Sequence, residues 1–172
     1  MSTCSRAIST PFGDFTITAT ADGVRAVAFG SLPLSDEMGA ADTGAVAGAE
    51  ARSDTGAMAV LDQAAGQLVQ YFSGQRRVFT VPLDMPDMPP FQSRALAAMQ
   101  RIGYGDTATY AQLAAEAGNP KAARAAGSAC ANNPIPIIIP CHRVVPTSGG
   151  TGNYGGGAQL KERLLHFEGQ AN

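Results

Sequence analysis

Strict alternation of apolar and polar residues marks the start of the chain. Phe15, Ile17 and Ala19 are separated by threonines, and the alternation resumes at Val27 after an Asp-Gly pair. A period of two residues is typical of a strand that buries one face, and Asp-Gly is a common hairpin turn. We therefore predict an antiparallel hairpin or meander over residues 6–30.

The next regular segment repeats its apolar residues every three or four positions, which indicates an amphipathic helix. Asp54 or Thr55 is a suitable N-cap for this helix, and Gly74 is a suitable end. A further strand is predicted over residues 76–83 (RRVFTVPL). The apolar residues that define the buried face of the helix are Met58, Leu61, Ala65, Leu68 and Phe72.

Residues 35–56 follow neither pattern, because they hold almost no large apolar side chain. A segment rich in Ala, Gly, Asp and Ser buries too little apolar surface to offset the entropy lost on ordering. Its glycines also argue against the alternative of an alanine-rich helix. We predict a long, mobile loop here.

A proline-dense segment, residues 86–90, is the predicted linker between two domains. Residues 1–85 are expected to form a small antiparallel sheet with a helix. Residues 91–172 are expected to be mostly helical. The predicted fold class is therefore α/β, in the α+β arrangement, with a second domain of the winged helix-turn-helix type.

The helix-turn-helix outline comes from two short helices in the second domain. The first covers residues 110–117 after Thr109 as N-cap, and the second runs from Pro120 to about residue 131 with Asn119 as its cap. Many helix corners share this outline. The second helix, KAARAAGSACA, consists almost entirely of small residues, so it either packs tightly against another helix or approaches a groove closely.

Composition and charge narrow the class of protein. The chain has 172 residues, of which 45% are hydrophobic and 15% charged, and its net charge is −2. These values exclude a disordered chain and a polycation that coats nucleic acid by charge alone. The charge is uneven, since residues 1–85 carry −4 and residues 86–172 carry +2.

The cellular setting is predicted from what the sequence contains. No apolar run is long enough to span a bilayer, and residues 1–10 do not have the pattern of a signal peptide. The three cysteines, Cys4, Cys130 and Cys141, are too few and odd in number for a disulfide framework, and no C-x-x-C pair suggests zinc. We expect a cytoplasmic protein with no membrane partner.

Candidate chemistry is concentrated at Cys141 and His142, which follow a short apolar run, PIPIIIP at 134–140, predicted to be extended and buried. A thiolate is the reactive form of cysteine, and a neighbouring base lowers the thiol pKa. A buried cysteine that serves only as a small apolar residue is the alternative. Neighbours in an extended chain point to opposite faces, so contact between the two side chains needs a bend or a bridging water.

The string IPCHRVV at 139–145 closely resembles the active-site motif of the O6-alkylguanine-DNA alkyltransferase family, the methylated-DNA–protein-cysteine methyltransferases. The similarity continues in order over essentially all of residues 91–169, whereas the first domain is similar to the family only in layout. The matching segments are FQ at 91–92, YGDTATYAQLA at 104–114, AGNPKAARAAG at 117–127, NNPIPIIIPCHRVVPTSGGTGNYGGG at 132–157 and LKERLLHFEG at 160–169.

This resemblance implies DNA repair by direct alkyl transfer. The thiolate of Cys141 would displace O6 of an alkylguanine, with O4-alkylthymine as a second candidate substrate, and each molecule would act once because the thioether is stable. His142 would activate the thiol through a water and Glu168 would orient His142. Tyr110 would give a proton or hydrogen bond to the departing guanine. Asn133 would brace the turn before the active-site segment.

The same resemblance implies that the target base is flipped out of double-stranded DNA, approached through the minor groove. Arg124 would fill the gap left in the base stack. The backbone carbonyls of Cys141 and Val144 would accept from the guanine amino group, and a loop at Tyr154 and Gly155 would wall the pocket and offer an amide to O6. The small residues that would admit the helix to the groove are Ala122, Ala123, Ala125 and Gly127.

Other functions and partners remain open at this point. We expect no cofactor, no metal, and a monomer, with cooperative binding along DNA as an open alternative. Some relatives bind zinc in the first domain, but here that half holds Cys4 and no histidine. One alternative is a non-enzymatic helix-turn-helix protein, although KAARAAGSACA has almost no bulky polar residue to read bases. A cysteine hydrolase or redox enzyme is the other alternative.

Overall fold

The computed structural model describes residues 2–30 and 50–170. It divides into two compact units, Met1–Met85 and Pro86–Asn172, and each is described by itself. The predicted loop over residues 35–49 lies outside the described residues. Its predicted last part, residues 50–56, is wrong as a loop, because these residues belong to a helix.

The first unit is a three-stranded antiparallel sheet packed against one helix. The strands β1 (Cys4–Thr10), β2 (Gly13–Ala19) and β3 (Val24–Phe29) pair in sequence order, which confirms the predicted meander. The helix α1 (Glu50–Phe72) packs against the sheet. Thr16 is buried even though the alternation places it on the polar face, because its hydroxyl donates a 2.8 Å hydrogen bond to the carbonyl of Gly30.

The buried face of α1 agrees with the prediction except at Met58. Met58 is 40% exposed, whereas Leu61 and Leu68 lie in the core as predicted. The neighbouring Ala57 is fully buried instead of Met58. A small residue thus occupies this part of the core, and a search for large apolar residues at helical spacing does not find it. The predicted end is confirmed, since Gly74 follows the helix with a φ of +79°, a conformation that glycine adopts readily.

The predicted strand over residues 76–83 is wrong. Among the described residues, one bridge, between Val24 and Leu83, pairs this segment with the sheet. The Gln67 side chain of α1 satisfies the backbone instead, since its Oε1 accepts from the amides of Thr80 at 2.9 Å and Val81 at 3.3 Å. A helix side chain therefore replaces the ladder that the sequence pattern predicts.

The second unit is mostly helical, and the helices surround one very short parallel pair of strands. The pair joins β4 to β5 through Ala108 with Val144 and Thr109 with Val145. The elements in chain order are α2 (Pro90–Met99), β4 (Ala108–Thr109), α3 (Tyr110–Glu116), α4 (Ala123–Ala131), a 3-10 turn (Cys141–Arg143), β5 (Val144–Val145) and α5 (Ala158–Gln170). None of the helices in residues 2–30 and 50–170 is both long and apolar enough to cross a membrane.

The helix-turn-helix consists of α3 and α4. Thr109 is the N-cap of α3 as predicted, in a capping box with Gln112. The start of α4 is not as predicted, because the helix begins at Ala123 with Ala122 as N-cap. Asn119 instead accepts from the amide of Lys121 at 3.2 Å, and this local turn removes Asn119 and Pro120 from the helix.

The apolar run at 134–140 is buried as predicted, but it is not simply extended. Its chain folds back so that the Ile139 amide donates to the Ile135 carbonyl at 2.9 Å. Ile137 has a φ of +71°, which is rare for a β-branched residue and marks local backbone strain. The run therefore forms a strained turn directly before Cys141.

Candidate active site

One pocket of the second unit, with a volume of about 750 Å³, brings together most of the predicted site residues. It lies between α4, the start of α3, and the loop that precedes α5. Several of the residues around it are small, which leaves space beside the Cys141 thiol. The lining residues are Tyr110, Ala123, Arg124, Gly127, Ser128, Cys130, Ala131, Cys141, Pro146, Gly152, Asn153, Tyr154 and Gly155.

Cys141 is 4% exposed and begins the 3-10 turn. Its amide donates to the Ile139 carbonyl at 2.8 Å, so the strained turn fixes the position of its backbone. Burial raises the pKa of the Cys141 thiol, while the Asn133 side chain and the positive charge of Lys161 oppose that rise. In the resting protein the residue is therefore a thiol, poised to lose its proton to a base.

His142 is fully buried and its Nε2 lies 2.8 Å from Oε1 of Glu168. Burial lowers the pKa of His142 more than the neighbouring Glu168 raises it, so the ring is neutral at pH 7. A carboxylate at Nε2 requires the proton there, which leaves Nδ1 as an acceptor. Nδ1 is buried and has no hydrogen-bond partner among the described residues.

Arg143, which the sequence patterns did not single out, completes this network. Its Nε and Nη2 donate to the two oxygens of Glu168 at 2.9 and 2.8 Å, and its Nη1 donates to the Ile102 carbonyl at 2.6 Å. Burial opposes ionisation of Glu168, but hydrogen bonds from His142 and Arg143 outweigh it and hold the pKa of Glu168 at about 2. Glu168 is thus a permanent carboxylate at neutral pH.

Lys161 was also missed, although it is 1% exposed. Its Nζ donates to the Val144 carbonyl at 2.6 Å and to the Asn153 carbonyl at 3.4 Å, and it lies 5.8 Å from the centre of the Tyr110 ring. Burial lowers its pKa. Lysine is usually exposed on an amphipathic helix, so the sequence pattern of α5 gives no indication that Lys161 is buried.

Asn133 and Tyr110 occupy supporting and lining positions. The Asn133 side chain donates to the Ile139 carbonyl at 2.9 Å and accepts from the Ile135 amide at 3.0 Å, so it spans the strained turn. Tyr110 lines the pocket. Burial, and then the nearby thiol groups, raise the pKa of Tyr110, which keeps its hydroxyl protonated and able to donate.

The structure separates the predicted residues into those that line the pocket and those behind it. Arg124 is exposed at the pocket rim on α4. The Val144 carbonyl already accepts from Lys161, and the Cys141 carbonyl from the Val144 amide. The predicted residues in the lining are Tyr110, Ala123, Arg124, Gly127, Cys141, Tyr154 and Gly155, whereas Ala122, Ala125, Asn133, His142, Val144 and Glu168 are not part of it.

Fold and site together define a two-unit protein in which a buried thiol opens into a pocket beside a helix-turn-helix. Two family models match this chain. The DNA-binding domain of 6-O-methylguanine DNA methyltransferase matches residues 90–170, and the ribonuclease-like domain of the same family matches residues 5–85. The chain therefore belongs to the 6-O-methylguanine DNA methyltransferase family, as the sequence motifs indicated.

Individual relatives support the same membership. The methylated-DNA–protein-cysteine methyltransferase of Methanosarcina acetivorans is 45% identical over 107 residues, 62% of this chain and 68% of that protein. The human protein of that name is 44% identical over 115 residues, 63% of this chain and 56% of its own length. These alignments thus span about half to two thirds of the curated relatives.

Solved structures match over nearly the whole chain. The structure of Mycobacterium tuberculosis O6-methylguanine methyltransferase has a TM-score of 0.78 and 33% identity, and covers 99% of this chain and 95% of that one. A structure of Mycobacterium tuberculosis OGT in complex with DNA has a TM-score of 0.77 at 33% identity, and covers 97% of this chain and 93% of that one.

Proposed function

We propose that this chain repairs O6-alkylguanine in DNA by transferring the alkyl group irreversibly to its own Cys141. The observation that carries the proposal is a buried thiol that opens into a pocket and is followed in the chain by a neutral histidine held by a buried carboxylate. Family membership supports the same chemistry. O4-alkylthymine is a second substrate of the same class.

The reaction needs one proton acceptor and one proton donor. The Cys141 proton passes through a water to Nδ1 of His142, which Glu168 favours because its carboxylate stabilises the resulting imidazolium. The sulfur then forms a bond to the alkyl carbon as the carbon–O6 bond breaks, and the electron pair of that bond stays on the guanine. Tyr110 donates the hydrogen bond or proton that neutralises the leaving base.

Access to O6 requires the target nucleotide to leave the base stack. Arg124 stands at the rim of the pocket on a helix of small residues. In the proposed complex this helix enters the minor groove of double-stranded DNA, where bulky side chains would clash, and Arg124 fills the gap in the stack. We also propose that the protein acts as a monomer in the cytoplasm.

The second candidate function, DNA or lesion binding without chemistry, is less well supported. A regulator that reads bases needs polar side chains long enough to reach base edges, and α4 offers only Arg124 and Ser128 to the pocket. Lesion binding alone does not account for the Cys141 thiol beside a histidine with a free acceptor nitrogen.

Intact mass spectrometry after incubation with duplex DNA that contains O6-methylguanine tests the transfer. We expect one methyl group per chain, mapped to Cys141 and absent from Cys141→Ala, whereas Cys4→Ala gains it normally. Repeated turnover, or full DNA binding without any change in mass, would overturn the proposal.

The flipping role of Arg124 is tested with Arg124→Ala on two substrates. We expect the rate on duplex DNA to fall by about 10- to 100-fold, while the reaction with the free alkylated base changes little, because only the duplex must be unstacked at an expense of a few kcal/mol. Second-order rates of methylation, measured by mass, provide the comparison. Equal losses on both substrates would contradict the role.

A further inference from the structure

The pocket contains a second thiol that the proposed alkyl transfer does not use. Cys130 is in the last turn of α4 and lines the pocket together with Cys141. Both cysteines are free, and Cys130 is half-buried. Two thiols that line one cavity can form a disulfide within the same chain, which a single cysteine cannot.

Hydrogen bonds to Asn133 connect the backbone positions of the two cysteines. The Asn133 amide donates to the Cys130 carbonyl at 3.4 Å, and the Asn133 side chain donates to the Ile139 carbonyl at 2.9 Å. That same carbonyl accepts from the Cys141 amide at 2.8 Å. Asn133 therefore bonds both the carbonyl of Cys130 and the carbonyl that accepts from the Cys141 amide.

The two thiols also act on each other electrostatically. Burial and then the charge of Cys141 raise the pKa of Cys130 to about 12. Burial also raises the pKa of Cys141, while the Asn133 side chain and the charge of Lys161 act in the opposite direction. Cys141 directly precedes His142 in the chain, and the buried Nδ1 of His142 has no hydrogen-bond partner among the described residues, so it can take up the Cys141 proton through a water. Cys141 is therefore the thiol that reacts first, and Cys130 is the second thiol.

We propose that Cys130 and Cys141 form a reversible disulfide when the protein meets hydrogen peroxide, which makes the pocket a redox modification site. This disulfide would form whether or not the protein transfers alkyl groups, because the two thiols share one cavity and Asn133 bonds the chain near both. In the disulfide state the Cys141 thiol is temporarily blocked, and a reducing thiol restores it.

The proposed oxidation balances in two steps. The Cys141 thiolate attacks one peroxide oxygen, the O–O bond breaks, hydroxide leaves, and Cys141 becomes a sulfenic acid. Cys130 then gives up its proton as its sulfur attacks the Cys141 sulfur, the S–O bond breaks, and the departing hydroxide takes up that proton to become water. Because the sulfenic acid is neutral, the charge that disfavoured the Cys130 thiolate is no longer present in this second step.

Pairing protects the acceptor from permanent damage. Without a partner thiol, a sulfenic acid is oxidised further to sulfinic and sulfonic acids, which reducing thiols do not restore. A disulfide stops this sequence and is reopened by a dithiol reductant. Cys130 would thus preserve a cysteine that the proposed function uses only once.

The test treats the full-length protein with hydrogen peroxide in the absence of DNA and determines its mass and its disulfide-linked peptides. We expect a loss of two hydrogen atoms, a peptide linking Cys130 to Cys141, and complete reversal by dithiothreitol. Cys4→Ser is the matched control and should behave in the same way. Sulfinic acid at Cys141 without a link, a link to Cys4, or a disulfide between two molecules would overturn the proposal.

Two variants separate the role of Cys130 from a folding defect. In Cys130→Ser and Cys130→Ala, peroxide should give irreversible oxidation of Cys141, so that dithiothreitol no longer restores its reaction with iodoacetamide. Each variant is compared with its own untreated sample, and circular dichroism confirms that both are folded. Full recovery of the Cys141 thiol in both variants would contradict a resolving role for Cys130. This readout is independent of DNA repair, so failure of the alkyl transfer would be seen separately.

Discussion

An arginine–carboxylate pair in the first unit and another in the second differ in burial. In the first unit, Arg25 lies 3.2 Å from Asp84, with 40% and 16% of the side chains exposed. In the second unit, Arg143 and Glu168 are 2.8 Å apart, with 7% and 1% exposed. The first pair keeps contact with solvent, whereas the second must satisfy its charges within the protein.

The environment of each carboxylate shows what this difference means. A hydrogen bond from the Thr20 hydroxyl, at 2.7 Å, lowers the pKa of Asp84, with Arg25 contributing less. Water remains available to Asp84 if either partner is lost. Glu168 has no such reserve, because burying a charge is tolerable only when its partners are all present. The buried network therefore fixes the orientation and charge state of His142, while the exposed pair only fastens a loop to the sheet.

The largest effect is expected from Arg143→Met, which removes the arginine that donates two hydrogen bonds to the buried Glu168 carboxylate. Breaking a buried pair in this way is destabilising by about 3–5 kcal/mol. Hydrogen–deuterium exchange of the α5 amides measures the local free energy of opening. The matched control is Arg101→Met, because Arg101 is exposed and pairs with Glu116 at 3.4 Å. This variant should change the local free energy of opening by less than about 1 kcal/mol. Similar losses of local stability in both variants would show that burial does not distinguish these ion pairs.

As the pH falls, the second unit should lose stability first through His142 and then through Glu168. Because burial holds the pKa of His142 below its ordinary value, unfolding takes up a proton as the pH falls below about 6.5, and stability begins to fall. Glu168 stabilises the fold fully above its ordinary pKa of 4.5, and this contribution disappears as the pH falls toward about 2.

The variant Glu168→Gln isolates the carboxylate contribution. From the lowered pKa, the charge contributes on the order of 3 kcal/mol at neutral pH. The stability advantage of the wild-type protein over Glu168→Gln, measured by exchange in α5 at several pH values, should therefore shrink as the pH falls from 4.5 to about 2. An advantage that stays constant over this range would show that charge is not the cause.

The smallest effect is expected from Arg25→Met in the first unit. A solvent-screened ion pair contributes little to stability, and Thr20 still donates to Asp84 at 2.7 Å. Exchange of the β2 and β3 amides should change slightly, and added salt should reduce the difference further. A loss as large as that of Arg143→Met would mean that exposure does not distinguish the two pairs.

Local patterns in the sequence predicted much of the first unit. The alternation around Phe15 and Ile17 specifies the sheet because it depends only on neighbouring residues. Where a distant residue intervenes, the pattern fails. Gln67 replaces the strand expected at 76–83 by bonding the backbone of Thr80 and Val81, which lie 13 and 14 positions away, and no local pattern records such a contact.

The sequence by itself determined the family motif, the adjacency of Cys141 and His142, and the row of small residues on α4. Only the tertiary structure decided which charges support them. Arg143 meets Glu168 across 25 positions and Lys161 meets Val144 across 17. Both side chains belong to residue types that are usually exposed, so their burial is visible only after folding brings each one to its partner. The same folding places Cys130 at the pocket of Cys141.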